Sequence, residues 1–169
     1  IDISKLNPGV SGLWKNKQTS NIESREEKLF PEDSSRLTYK KIIYRGQGSP
    51  KFLVSYEDSG EQKKIKLKVG EEIHTDKSIS DLMRLCGLNQ DVMKYKDVVK
   101  LYLGDLSIDN FRSIMANKNG LESTDRYIWG YGKDAHGEWV LLKDVLFEAR
   151  PTDEKRLSIF DPMTWDFQD

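Results

Sequence analysis

Residues 37 to 70 read "LTYKKIIYRGQGSPKFLVSYEDSGEQKKIKLKVG", and the reading of this stretch decides the fold. Three runs rich in β-branched and aromatic residues are divided by the turn formers of "QGSP" and "SGEQ", the pattern of strands joined by short reversals. In the third run Ile65, Leu67 and Val69 alternate with Lys64, Lys66 and Lys68. Successive side chains of a strand point to opposite faces, so the apolar residues share one face and the lysines the other. The stretch predicts a three-stranded antiparallel meander with one buried face.

A second strand pair is legible further on, in "RYIWGYGKDAHGEWVLL" at residues 126 to 142. The runs "DRYIWGYG" and "EWVLLKDVLFEA" are strand-like, and "KDAHG" joins them as a hairpin turn. Strict alternation puts Tyr127, Trp129 and Tyr131 on one face and Ile128 on the other. Trp139, Leu141 and Lys143 alternate likewise with Val140 and Leu142, and Gly132 and Gly137 offer the positive φ a turn needs.

The residues between are helical in pattern. "DKSISDLMRLCGL" predicts a helix capped by Ser78 and stopped by Gly87, with Ile79, Leu82, Met83 and Cys86 as its inward stripe. "NQDVMKYKDVVKLYLGDL" is ambiguous: a short helix over residues 91 to 96 followed by a strand over 98 to 103. "SIDNFRSIMANKNG" predicts a further helix, capped by Ser107 and burying Ile108, Phe111, Ile114 and Met115. The expected fold is α+β. A twisted antiparallel sheet or partly closed barrel forms from residues 38 to 69, 98 to 103 and 126 to 148, with two or three short helices covering one face or end.

The domain is expected at residues 38 to 150. Before it, residues 1 to 37 read as an extended arm docking through Trp14 and Phe30, with a short helix over residues 22 to 29. After it, residues 151 to 169 read as an acidic-aromatic tail. The chain starts at Ile1 and stops after "MTWDFQD", and is expected to be a processed form or a domain cut from a longer protein.

Composition narrows the function classes. The single Cys excludes an intramolecular disulfide framework or a multi-Cys zinc site, and implies no disulfide-linked partner. With only two His besides, no metal centre is expected. No apolar run reaches the ~18 residues of a membrane span. The absence of any Asn-x-Ser/Thr acceptor leaves an intracellular setting, cytoplasmic or nuclear, as the expectation. "GYG" at residue 130 and "GQGSPK" at residue 46 both lack the third glycine of a dinucleotide fingerprint, so no cofactor is expected. Cys86 lies on an apolar stripe and no Gly-x-Ser-x-Gly elbow occurs, so no catalytic residue is assigned.

Charge is unevenly spread. Residues 38 to 70 hold eight Lys/Arg against three Asp/Glu, and residues 71 to 169 hold thirteen against nineteen. Lys40, Lys41, Arg45, Lys63, Lys64, Lys66 and Lys68 therefore form a candidate surface for an anionic partner, or else a solvated face protecting a sheet edge. Trp129, Tyr131 and Trp139 are candidate aromatic contacts, with Asp134 or His136 at the mouth, or else they fill a core. In the tail Phe160, Trp165 and Phe167 either dock a partner or fold back on the domain.

The leading functional expectation is a non-catalytic interaction or regulatory module of a larger intracellular protein. It binds a protein partner through the hairpin, the meander or the tails. The alternative is nucleic-acid binding on the basic strands. Behind both stands a hydrolase or transferase, which requires His136 and an acid to line one cleft.

Overall fold

The computed structural model describes residues 27–43, 49–85, 90–119 and 125–149. The meander forms as its alternation predicts, from β1 (Leu37–Ile42), β2 (Lys51–Asp58) and β3 (Glu61–Val69). β2 and β3 pair without interruption from Lys51↔Lys68 to Asp58↔Glu61. Ser59 and Gly60 close this pair at φ 54° and 82°, the doubly left-handed turn whose twist suits a hairpin.

The strand from Val92 to Tyr102, β4, is continuous, so the short helix expected over residues 91 to 96 does not form. It pairs antiparallel with β6 (Gly137–Ala149) from Val92↔Ala149 to Tyr102↔Trp139. A weak local preference for helix is outweighed by a full ladder of inter-strand hydrogen bonds. β6 pairs in turn with β3, from Lys66↔Glu148 to Val69↔Val145. β1 meets β4 in a short parallel contact at Leu37↔Leu101 and Thr38↔Tyr102. The order β3-β2-β1-β4-β6 thus returns to β3. The fold is α+β, a mixed closed barrel of five strands with one extra strand, β5 (Ile128–Asp134), on β6.

β6 serves two neighbours along one edge, β5 by its first half and β3 by its second. Its core-facing residues change parity between the halves, from Val140 and Leu142 to Val145 and Phe147. The change falls at Asp144, which sits at φ 54° and accepts a hydrogen bond from the Tyr95 hydroxyl at 2.8 Å. That bond holds the Tyr95 phenol above its usual pKa and helps offset a left-handed conformation costing roughly 1–2 kcal/mol.

The helix α2 (Ile108–Asn119) closes one barrel end as expected: Phe111 and Met115 are fully buried, and Ile108 and Ile114 pack half-buried against the core. Ser107 Oγ accepts from the Asn110 amide at 3.2 Å and Glu138 Oε2 from the Ile108 amide at 3.0 Å, which satisfies two first-turn N–H groups. Phe111 meets Phe52 and Tyr39 at ring-centroid distances of 5.4 and 5.9 Å. Phe30, placed in the arm, is buried in the same core.

The helix α1 (Ile73–Leu85) corrects two expectations. It starts at Ile73, so Ser78 lies inside it and caps nothing. Its inward residues are Ile73 and Ser80, while Ile79, Leu82, Met83 and Leu85 are exposed. The cause is Lys68, on the outer face of β3, whose ammonium takes up Glu72 Oε1 at 2.6 Å and the Asp76 carboxylate. Two acids needed at one buried cation turn the polar side of α1 to the barrel and its apolar side outward. Among the described residues no helix is long and apolar enough to cross a membrane.

Candidate interaction surfaces

The β5–β6 hairpin turns through Ala135 and His136, with Gly137 at φ 113°. Asp134 organises it. Its Oδ1 accepts from the His136 amide at 2.8 Å, and its Oδ2 accepts from Lys100 Nζ and the Tyr102 hydroxyl, both at 2.9 Å. The Lys100 hydrogen bond above all, then the His136 amide, holds the Asp134 carboxyl down at about 2. Hydrogen bonds to Tyr102 and Asp134 hold the Lys100 ammonium above its ordinary value. Arg36 donates to His136 Nδ1 at 2.8 Å and so ties the turn to the segment before β1.

The aromatics of the hairpin separate into two groups. β5 carries a bulge between Ile128 and Gly130, so Trp129 is an extra residue that breaks the strict alternation. Tyr127 is buried, whereas Trp129 and Tyr131 are 70% and 58% exposed. Gly132 pairs with Trp139, and a Cβ at Gly132 would lie 2.7 Å from the Trp139 ring. Trp139 thus lies over Gly132, on the face opposite the Tyr131↔Val140 pair, with Lys100 Nζ 4.5 Å above its ring. The three residues do not form one cage. Trp129 and Tyr131 both belong to β5, the terminal strand of the sheet order.

The lysines of the meander are mostly engaged. Lys68 is buried at 5% exposure beneath the carboxylates of Glu72, just ahead of α1, and Asp76, within it. Burial pulls its pKa down, but the hydrogen bonds it donates to Asp76 and Glu72 outweigh it and the net shift is upward. Lys63 binds Asp58 at 2.5 Å, Lys66 reaches Asp91 at 3.9 Å, and Lys51 binds Glu148 at 2.6 Å. Lys40, Lys41 and Lys64 are exposed. Arg45, Trp14, Cys86, Phe160, Trp165 and Phe167 lie outside the described residues.

A cleft of about 710 Å³ runs over the outer face of β1, β2 and β4 beneath residues 32 to 36. Its lining includes His136, Lys100, Tyr102, Asp33 and Asp58, so His136 and acids do share a cleft. Within it the His136 ring is already engaged by Arg36. A guanidinium only donates, so Nδ1 accepts and the neutral ring carries its proton on Nε2. The Tyr102 hydroxyl is likewise spent on Asp134. Among the described residues no cluster of three His, Cys, Asp or Glu is disposed to hold a metal.

Arg36, Lys100 and Tyr102 were not singled out from sequence. The alternation of Lys100 and Tyr102 with Val99 and Leu101 marks them as outward-facing, but nothing in it identifies Asp134 as their partner. Comparison with family models, with curated proteins and with solved structures returns no match to this chain.

Proposed function

We propose that the chain is a non-catalytic interaction module of an intracellular protein, docking a protein partner on β5 with Trp129 and Tyr131 as anchors. The observation that carries this reading is the exposure of both rings on a strand at the end of the sheet order. Large aromatic side chains left in water on a well-paired strand cost solvation and gain nothing within the monomer. At an interface they supply apolar area with few rotamers to freeze. Preorganisation supports the same reading. The Asp134 hydrogen bonds and the Gly132–Trp139 packing fix the hairpin before any partner arrives, which lowers the entropy lost on binding.

Nucleic-acid binding draws less support, because most of the meander lysines are already neutralised by acids of the same chain. The test compares three immobilised proteins for what they retain from nuclease-treated extract: wild type, Trp129→Ser/Tyr131→Ser and Lys40→Glu/Lys41→Glu/Lys64→Glu. A defined protein retained by wild type and by the lysine variant, and lost from the aromatic variant, is the expected result. Retention that ignores the aromatic change removes the proposal. Binding of labelled single-stranded oligonucleotides that falls steeply with salt would put nucleic acid in its place.

A further inference from the structure

The outward apolar side of α1 is separate from the hairpin and has its own candidate occupant. Ile79, Leu82 and Met83 stand at the spacing of one helix face, with Leu85 beside them, and Ile79 and Leu82 are 51% and 61% exposed. We infer that this face is the docking site of the chain's own C-terminal segment, residues 157 to 169, through Phe160 and Trp165.

Three observations select that segment. First, β6 delivers the chain to the helix. Ala149 is the cross-strand partner of Val92, and the preceding residue, Asp91, accepts a hydrogen bond through its carbonyl from Ser80 Oγ at 2.8 Å. Second, the length suffices. Residues 150 to 156 give a tether of roughly 23 Å when extended, and α1 with its thirteen residues is about 20 Å long. Third, the composition fits. "LSIFDPMTWDFQD" at residues 157 to 169 carries Leu157, Ile159, Phe160, Met163, Trp165 and Phe167 and no Lys or Arg.

Phe30, near the described N-terminal end of the chain, meets the barrel elsewhere. Phe30 lies in the core beneath Lys94, and Lys94 belongs to the face of β4 turned away from Tyr95 and His74 of α1. A tail seated on α1 also leaves the β5 surface open, so the inference does not depend on the proposed function.

The test uses the full chain with the photo-crosslinker p-benzoylphenylalanine in place of Trp165 and, in a second preparation, in place of Phe160. After irradiation and proteolysis, crosslinks within one molecule to residues 79 to 85 are expected. They should be lost on Leu82→Lys or Ile79→Lys, substitutions at exposed positions that leave the cooperative melt intact. Crosslinks that map to other segments, or that survive both lysine substitutions, overturn the inference. Covalent dimers in place of internal crosslinks overturn it too, and assign the face to a second copy of the chain.

Discussion

Lys68→Met tests the feature that most reorganises the sequence reading. Lys68 and Lys64 lie on the same strand and the same outer face, yet one is buried and the other exposed. Methionine keeps the unbranched stem, so the substitution removes chiefly the ammonium and its bonds to Glu72 and Asp76. Hydrogen bonds to charged groups are worth about 1.5–3 kcal/mol each. Two discounts apply: the carboxylates still reach water, with side chains 48% and 31% exposed, and the desolvation of the ammonium is relieved. A loss of about 1–3 kcal/mol remains, and at roughly 2–4 °C per kcal/mol for a chain of this size the melting temperature should fall by about 2–12 °C. Lys64→Met should stay within about 0.5 kcal/mol.

The pH dependence supplies a second readout. Lys68, with the Ser49 amide assisting, holds the Glu72 pKa below its ordinary value. Glu72 therefore contributes stability above its unfolded pKa, and this is lost as pH falls through the lower folded pKa. The gap between wild type and Lys68→Met should narrow below about pH 4.5, near the ordinary pKa of Glu. Thermal melts by circular dichroism from pH 3 to 7 give both numbers. Equal melts for Lys68→Met and Lys64→Met at neutral pH would refute the buried-cation account of how α1 is oriented.

Trp129→Ala should change urea stability by no more than about 0.5 kcal/mol, since the ring is exposed, whereas Phe111→Ala should cost about 3–5 kcal/mol through the cavity it leaves; comparable losses would put Trp129 in the core after all. Gly132→Ala should destabilise by about 1–3 kcal/mol as its methyl meets the Trp139 ring, and Trp139→Leu should recover part of that loss, so a neutral Gly132→Ala would show the two are not in contact. The Asp134 carboxyl should titrate by carbon NMR with a midpoint of about 2, and Lys100→Met should raise it; an unmoved midpoint would show that the Lys100 hydrogen bond does not hold the hairpin.

The sequence alone determined the strands whose two faces differ in polarity. The alternation of Ile65, Leu67 and Val69 with lysines fixed both their burial and the register of the meander, because a one-residue slip would turn every apolar side chain to water. Ser107 and the stripe of Phe111 and Met115 were legible for the same kind of reason: a helix cap and a helix period are local properties. The exposed aromatics of the hairpin were only half legible, since the bulge at Trp129 changes facing without a mark in the pattern.

Tertiary structure decided what depends on residues distant in the chain. The basic meander and the acidic remainder looked like a surface seeking an anionic partner. In the fold Glu72, Asp76, Asp91 and Glu148 supply the partners for Lys68, Lys66 and Lys51, so much of the asymmetry is complementarity within one molecule. The same buried cation reverses α1. Amphipathic periodicity reports that a helix has two sides but not which one meets the barrel, and here two carboxylates needed at Lys68 outweigh the four apolar side chains turned away from it.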